Sequence, residues 1–183
     1  TKHWGIVFWR DQPVESLPQG HLDQPEIDPS LPEFPKIPLR SLAGFVDAAH
    51  ATAQNCRSVT GLVFTLSGGP IAWKTKVQAT VATSSTECEF IAAVHAAKIA
   101  KYLRSVLHEL GYPQSGPTTI YEDNQAAIAM VKHEKPTQRS RHIDIQFFAI
   151  QEWRARHIVR LDYINTILNP ADAGTKALGW VLH

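Results

Sequence analysis

Proline sets the first limit on what this chain can fold into. Seven of its twelve prolines fall in residues 11–38, DQPVESLPQGHLDQPEIDPSLPEFPKIP, together with six acidic residues. Proline donates no backbone hydrogen bond and fixes φ, so at this density neither a helix nor a central strand forms. Residues 1–40 therefore read as a strand remnant, HWGIVFW, followed by an extended acidic connector. A folded domain is expected over residues 41–183, enough chain for one core. The two cysteines, Cys56 and Cys88, lack zinc-type spacing and suit a reduced, intracellular setting. No apolar run approaches the roughly 20 residues that cross a bilayer, and no signal peptide is visible, so no membrane partner is expected. The first residue is Thr1 rather than methionine, which fits a piece of a longer chain.

Beyond the connector the pattern becomes regular. LAGFVDAAHA from Leu42 reads as a strand, and the β-branched SVTGLVFTL as a second. SGG at 67–69 reads as a hairpin turn before the returning strand PIAWKTK. A helix is expected from Ser84 to Leu110 with Gly111 as its stop. TTIYED then reads as a strand, NQAAIAMV as a short helix, and SRHIDIQFFAIQEWRARH as a helix with Ser140 as N-cap. IVRLDYI is a strand, and NPADAGTKAL a last helix with Asn169 as N-cap and Pro170 at its first position. The order βββ-α-β-α-α-β-α implies a mixed sheet covered by helices.

Four carboxylates stand at element ends. Glu87 heads the row Phe90, Ile91 and Val94, the larger apolar row and hence the one expected to dock on the sheet. Glu89 heads a row of alanines and is assigned a bland role. Ser84 with Glu87 is also a capping box, so Glu87 has a structural reading as well. Asp47 ends LAGFV and could be a turn residue. Asp123 ends TTIY and could be an N-cap. Asp172 could complete a capping arrangement with Asn169. Jointly, however, they occupy the strand-to-helix ends where functional groups gather in α/β sheets. Converging carboxylates repel unless cations intervene, and hard oxygen ligands favour Mg²⁺ or Mn²⁺. Two such ions about 4 Å apart hold a scissile phosphate, generate hydroxide and stabilise the leaving oxygen. A nucleophile elbow and a P-loop are both missing from the sequence.

These same motifs carry a resemblance. FVDAAHA, RSVTGLVFTLSGGPIAWKTKVQATVATSSTECEFIAA, IYEDNQAAIAMVKH, SRHIDIQFFAIQE and NPADAGTKAL together resemble the ribonuclease H domain of copia-type LTR retrotransposon polyproteins. The resemblance spans residues 42–178, with the motifs in family order. It implies a ribonuclease H-like α/β fold: a five-stranded mixed sheet, three antiparallel strands then parallel additions, flanked by helices on both sides. It also implies hydrolysis of the RNA strand of RNA–DNA hybrids with two Mg²⁺ (or Mn²⁺), an adjacent reverse transcriptase domain, and a cytoplasmic or virus-like-particle location. The family's catalytic and metal-binding acids fall on Asp47, Glu87, Asp123 and Asp172, with Asp47 shared by both metals. The first motif reads Asp47-Ala48-Ala49 where family members often carry a second acid. The histidine that cellular ribonucleases H place before the last helix is missing from NTILNP, which leaves His142 as a stand-in or as a structural helix-start residue.

Cations are concentrated between Met130 and Arg160. Lys132, Lys135, Arg139, Arg141, Arg154, Arg156 and Arg160 form either a solvated helix face or a backbone track. The stretch 132–141 is the favoured contact to the hybrid. Thr83, Ser84 and Gln125 lie beside the acidic motifs, where the resemblance implies contacts to RNA 2′-hydroxyls. A non-catalytic remnant and a DNA-directed nuclease on the same fold remain the alternatives.

Overall fold

The computed structural model describes residues 32–132 and 144–176. The strand remnant, most of the connector, Ser140 and the last residues of the chain lie outside that range. A five-stranded sheet has the order β3-β2-β1-β4-β5. Strands β1 (Leu42–Ala49), β2 (Val59–Leu66) and β3 (Gly69–Val77) form an antiparallel meander. Strands β4 (Thr118–Glu122) and β5 (Val159–Tyr163) add in parallel to β1. The β2–β3 hairpin closes through Ser67 and Gly68, both at positive φ (50° and 80°), the pairing that matches the natural strand twist.

Three α-helices, α1 (Ser85–Glu109), α2 (Gln125–Lys132) and α3 (Asp144–Ala155), pack against one face of this sheet. Their core contains Val46, Leu62, Phe64, Ile120 and Leu161 from the strands and Phe90, Val131, Phe147 and Ile150 from the helices. Among the described residues no α-helix covers the opposite face. There Phe34 lies 5.5 Å from the Phe45 ring, which stacks on Tyr121 at 5.2 Å. Ile37, Leu168 and Ala171 complete that smaller cluster. The expected last helix is instead two short 3₁₀ turns, Thr166–Leu168 and Pro170–Gly174. Asn165 caps the first and Asn169 the second, each accepting a backbone N–H two residues on.

The face of α1 that packs inward is wider than expected. Ala92, Ala93, Ala96, Ala97 and Ala100 are all fully buried, as are Phe90 and Val94 of the expected row, whereas Ile91 is only half-buried. A helix lined with alanine brings its backbone closer to a sheet than one lined with leucine or isoleucine, and close-packed interiors favour that approach. The alanine row therefore points down, and whatever heads it is carried to the sheet edge.

Candidate active site

Glu89 heads the alanine row, three and four residues before Ala92 and Ala93. Its carboxylate meets those of Asp47 and Asp123, one oxygen of each lying within 4.8 Å of the others. Asp47 is buried on β1, opposite Gly61 of β2. Asp123 directly follows β4, where the chain turns into α2. It is not the cap of that helix: Asn124 Oδ1 accepts from the Ala127 N–H at 3.0 Å, which leaves the Asp123 carboxylate to the cluster.

Glu87 is not in this group. Its backbone N–H donates to Ser84 Oγ at 3.1 Å, while its Oε2 accepts from the Thr83 N–H at 2.7 Å and the Thr83 hydroxyl at 2.5 Å. This is a capping box, in which the carboxylate satisfies donors before the helix rather than facing the sheet edge. Sequence reasoning expected Glu87 beside Asp47 and Asp123; the structure places Glu89 there, because the alanine row it heads is buried alongside Phe90 and Val94. The start of α1 is held by two further contacts. Gln78 Nε2 donates to Cys88 O at 2.9 Å, and the His50 ring lies 3.1 Å from Ala82 O.

The fourth acid arrives on the last 3₁₀ turn. Buried Asn169 donates to Val46 O at 2.8 Å and caps Ala171, tying that turn to β1 one residue before Asp47. Gly61 makes the approach possible. A Cβ there would stand 2.6 Å from Ala171 O and 2.8 Å from Thr175 Cγ2, closer than packed atoms allow. The turn then delivers two donors. The Thr175 hydroxyl donates to Asp47 Oδ2, and Lys176 Nζ donates to Asp172 Oδ1 at 2.6 Å.

The electrostatics follow from burial and crowding. Burial, then the charges of Asp47 and Asp123, push the Glu89 carboxyl up to about 9. Behind it lies Glu122, fully buried, whose Oε1 accepts from the Asn124 N–H at 3.1 Å. Burial and the neighbouring Glu89 raise its carboxyl well above the ordinary range. Asp47 is also raised by burial, offset by the Thr175 hydroxyl and the Lys176 ammonium. Glu89 Oε2 and Glu122 Oε2 are buried without a hydrogen-bond partner. The converging carboxylates of Asp47, Glu89 and Asp123, with the Glu89 Oε2 buried and without a hydrogen-bond partner, fit a hard divalent cation, which takes oxygen ligands and relieves their repulsion. Asp47, Glu89 and Asp123 are the residues that would hold it, with Asp172 beside them.

Of the expected substrate contacts, Thr83, Ser84, Gln125 and Lys132 are exposed, the first two being engaged in the α1 cap. Lys135, Arg139, Arg141 and His142 lie outside the described residues. Three other cations of that stretch have structural partners: Arg154 holds Val131 O at 2.7 Å, Arg156 pairs with Glu152, and Arg160 with Asp162. Sequence reasoning missed Glu122, Gly61, Thr175 and Lys176. The alanine periodicity was the available signal for Glu89, and the burial of TTIY for Glu122. Gly61 gives no local sign, since its constraint comes from a turn far along the chain.

Comparison with known proteins comes to the same fold. No protein-family model matches the chain. It is 39% identical over 138 residues, 75% of its length, to the retrovirus-related Pol polyprotein from transposon TNT 1-94 of Nicotiana tabacum. It is 31% identical over 142 residues, 77% of its length, to that from transposon RE2 of Arabidopsis thaliana. The chain spans 10% of the length of each of these polyproteins. Among solved structures, LC11-RNase H1, isolated from compost by a metagenomic approach, superposes with a TM-score of 0.57 at 13% identity, covering 74% of this chain and 93% of that one. The same protein in complex with an RNA/DNA hybrid gives 0.52 at 11% identity, covering 73% and 92%.

Proposed function

Since its homologues are copia-type retrotransposon Pol polyproteins and its structure matches ribonuclease H domains, we propose that the chain hydrolyses the RNA strand of RNA–DNA hybrids. The observation that carries this reading is the convergence of Asp47, Glu89 and Asp123 within 4.8 Å at the edge of a ribonuclease H-like sheet. We assign catalysis to these three with Asp172, and the cofactor to two Mg²⁺ or Mn²⁺ ions, matching the all-oxygen donor set. Ions held there would activate the attacking water and stabilise the departing 3′ oxygen.

The protein's own part is orientation. Asn169 and Gly61 fix where Asp172 stands relative to Asp47. Thr175 fixes the Asp47 rotamer by its hydrogen bond. Gln78 and the Ser84 cap fix the first turn of α1, and with it Glu89. Exposed Thr83, Ser84 and Gln125 stand at the ends of the two helices that frame the acids, in reach of a sugar edge. We take the domain to begin near residue 41, with an acidic connector before it and a reverse transcriptase in the parent polyprotein. Cleavage then serves reverse transcription inside the cell. No described helix is long and apolar enough to cross a membrane.

The test is cleavage of an end-labelled hybrid beside double-stranded DNA and double-stranded RNA, with Mg²⁺, Mn²⁺ or chelator. Hybrid-only, metal-dependent cleavage lost in Asp47→Asn is expected. An intact hybrid in both metals refutes the reading for this domain.

A further inference from the structure

A second charged region lies on the other flank of α1. Lys74 and Lys76 alternate onto the helix-covered face of β3, and His95 and Lys98 project from α1 beside them. Between the two elements is a cavity of about 240 Å³ lined by Thr60, Lys76, Gln78, His95, Lys98 and Gln146, among others. All three lysines are exposed, and among the described residues no ion pair involves any of them. Burial, then Lys74, Lys76 and Lys98, lower the His95 pKa, so the lysine field converges on this cavity. The rest of its wall is mixed, with Val77, Ala79, Ile91 and Val94 beside the polar groups. Thr60 and Gln78 are buried, and Gln78 Oε1 and Gln146 Oε1 have no hydrogen-bond partner.

Strand register sets this region against the carboxylates. Lys76 pairs with Thr60, and Thr60 pairs with Ala48, the residue after Asp47. Lys76 is therefore one register position beyond Asp47 and two strands away, about 10 Å at ordinary strand spacing, on the helix-covered face from which α1 carries Glu89 to the cluster. An unneutralised cationic flank beside an acidic cluster suits one polyanion lying across both. Lysines take its phosphates, and unpartnered amide oxygens accept from sugar hydroxyls.

We propose that the β3–α1 flank, through Lys74, Lys76 and Lys98, binds the sugar–phosphate backbone of the RNA–DNA hybrid next to the segment being cut. This rests on the function proposed above. It differs from the sequence expectation, which placed the backbone track on residues 132–141.

The test compares the whole chain with the triple variant Lys74→Gln/Lys76→Gln/Lys98→Gln. A second triple, Lys36→Gln/Lys101→Gln/Arg156→Gln, removes the same charge elsewhere. Anisotropy of a fluorescein-labelled RNA–DNA hybrid is followed in chelator over a range of KCl, so that no cleavage occurs. Each lost phosphate contact shallows the slope of log K against log salt by roughly 0.9 on the scale of B-DNA. The flank triple is thus expected to lose about 2 to 3 in slope and at least roughly tenfold in affinity. Restoring charge with Lys→Arg at the three positions recovers both. An unchanged slope, or an equal loss in the control triple, overturns the proposal and leaves the nuclease reading standing. A wild-type chain that binds no hybrid at any salt overturns both.

Discussion

Exchanging one oxygen-bearing group for another at positions 87 and 89 separates the two glutamates of α1. In Glu87→Gln the Thr83 N–H and hydroxyl face a neutral amide rather than a carboxylate. Hydrogen bonds to a charged acceptor contribute about 1.5–3 kcal/mol against about 0.5–1.5 for neutral pairs. A negative charge in the first helical turn adds about 0.3–1 kcal/mol. The expected loss is about 1–2 kcal/mol, or roughly 3–6 °C in Tm for a domain of this size. Glu89→Gln behaves in the opposite way. With its carboxyl pushed up to about 9, Glu89 is already protonated at neutral pH in the metal-free protein. A glutamine there is close to isosteric and can donate to the surrounding carboxylates, so Tm in chelator should hold or rise. Magnesium then discriminates, because a ligand that binds only the folded state raises Tm by mass action. That rise should survive in Glu87→Gln and vanish in Glu89→Gln, together with a loss of roughly a hundredfold or more in hybrid cleavage. Differential scanning fluorimetry with and without Mg²⁺, beside the cleavage assay, reads all of this. A stable, inactive Glu87→Gln with a destabilised, active Glu89→Gln would refute the assignment and the packing argument beneath it.

Lys176→Gln removes an ammonium 2.6 Å from Asp172 and close in charge to Asp47 and Asp123. Calorimetric titration should show tighter Mg²⁺ binding, by about several-fold given the partial exposure of the pair, and weaker binding would contradict it. Gly61→Ala puts a methyl against Ala171 O. It should destabilise by about 1–3 kcal/mol in urea titrations and cut hybrid cleavage by moving Asp172, whereas full activity would show that the turn tolerates displacement. In chelator, stability should fall as pH rises from the ordinary carboxylate range towards about 9. The fold retains protons on Glu89 and Glu122 that the unfolded chain releases, so the folded state binds more protons throughout that window. Denaturation midpoints at pH 6 and pH 8.5 check this, and a rise between them would reverse the sign.

The strands and the described α-helices were legible because they rest on local signals. β-Branched residues marked β2, Ser84 marked the start of α1, and Asp47 and Asp123 were read at element ends. Glu87 was preferred because it heads the Phe90 and Val94 row, and both of those side chains are buried; the alanine row is buried beside them, and it is Glu89 at its head that meets Asp47 and Asp123. Gly61 and Lys176 were illegible for another reason. Their roles exist only once β2 and the last 3₁₀ turn meet, and no window of sequence contains both. The final element keeps its expected cap, Asn169, and Pro170 at its first position, but over Pro170–Gly174 it is a 3₁₀ turn rather than an α-helix.

The dependence of Asp172 on Asn169 and Gly61 separates building the scaffold from arming it. Among the described residues, all five strands, all three α-helices and the Asp47, Glu89 and Asp123 cluster come from residues that precede the Asn165 cap. A chain shortened to that point contains every one of these elements. It loses the turn that brings the fourth carboxylate, the hydroxyl on Asp47 and the Lys176 ammonium. The last segment therefore works like a key cut separately from its lock: it adds no strand or α-helix among the described residues, yet it brings the fourth acid and packs Leu168 and Ala171 against the open face of the sheet.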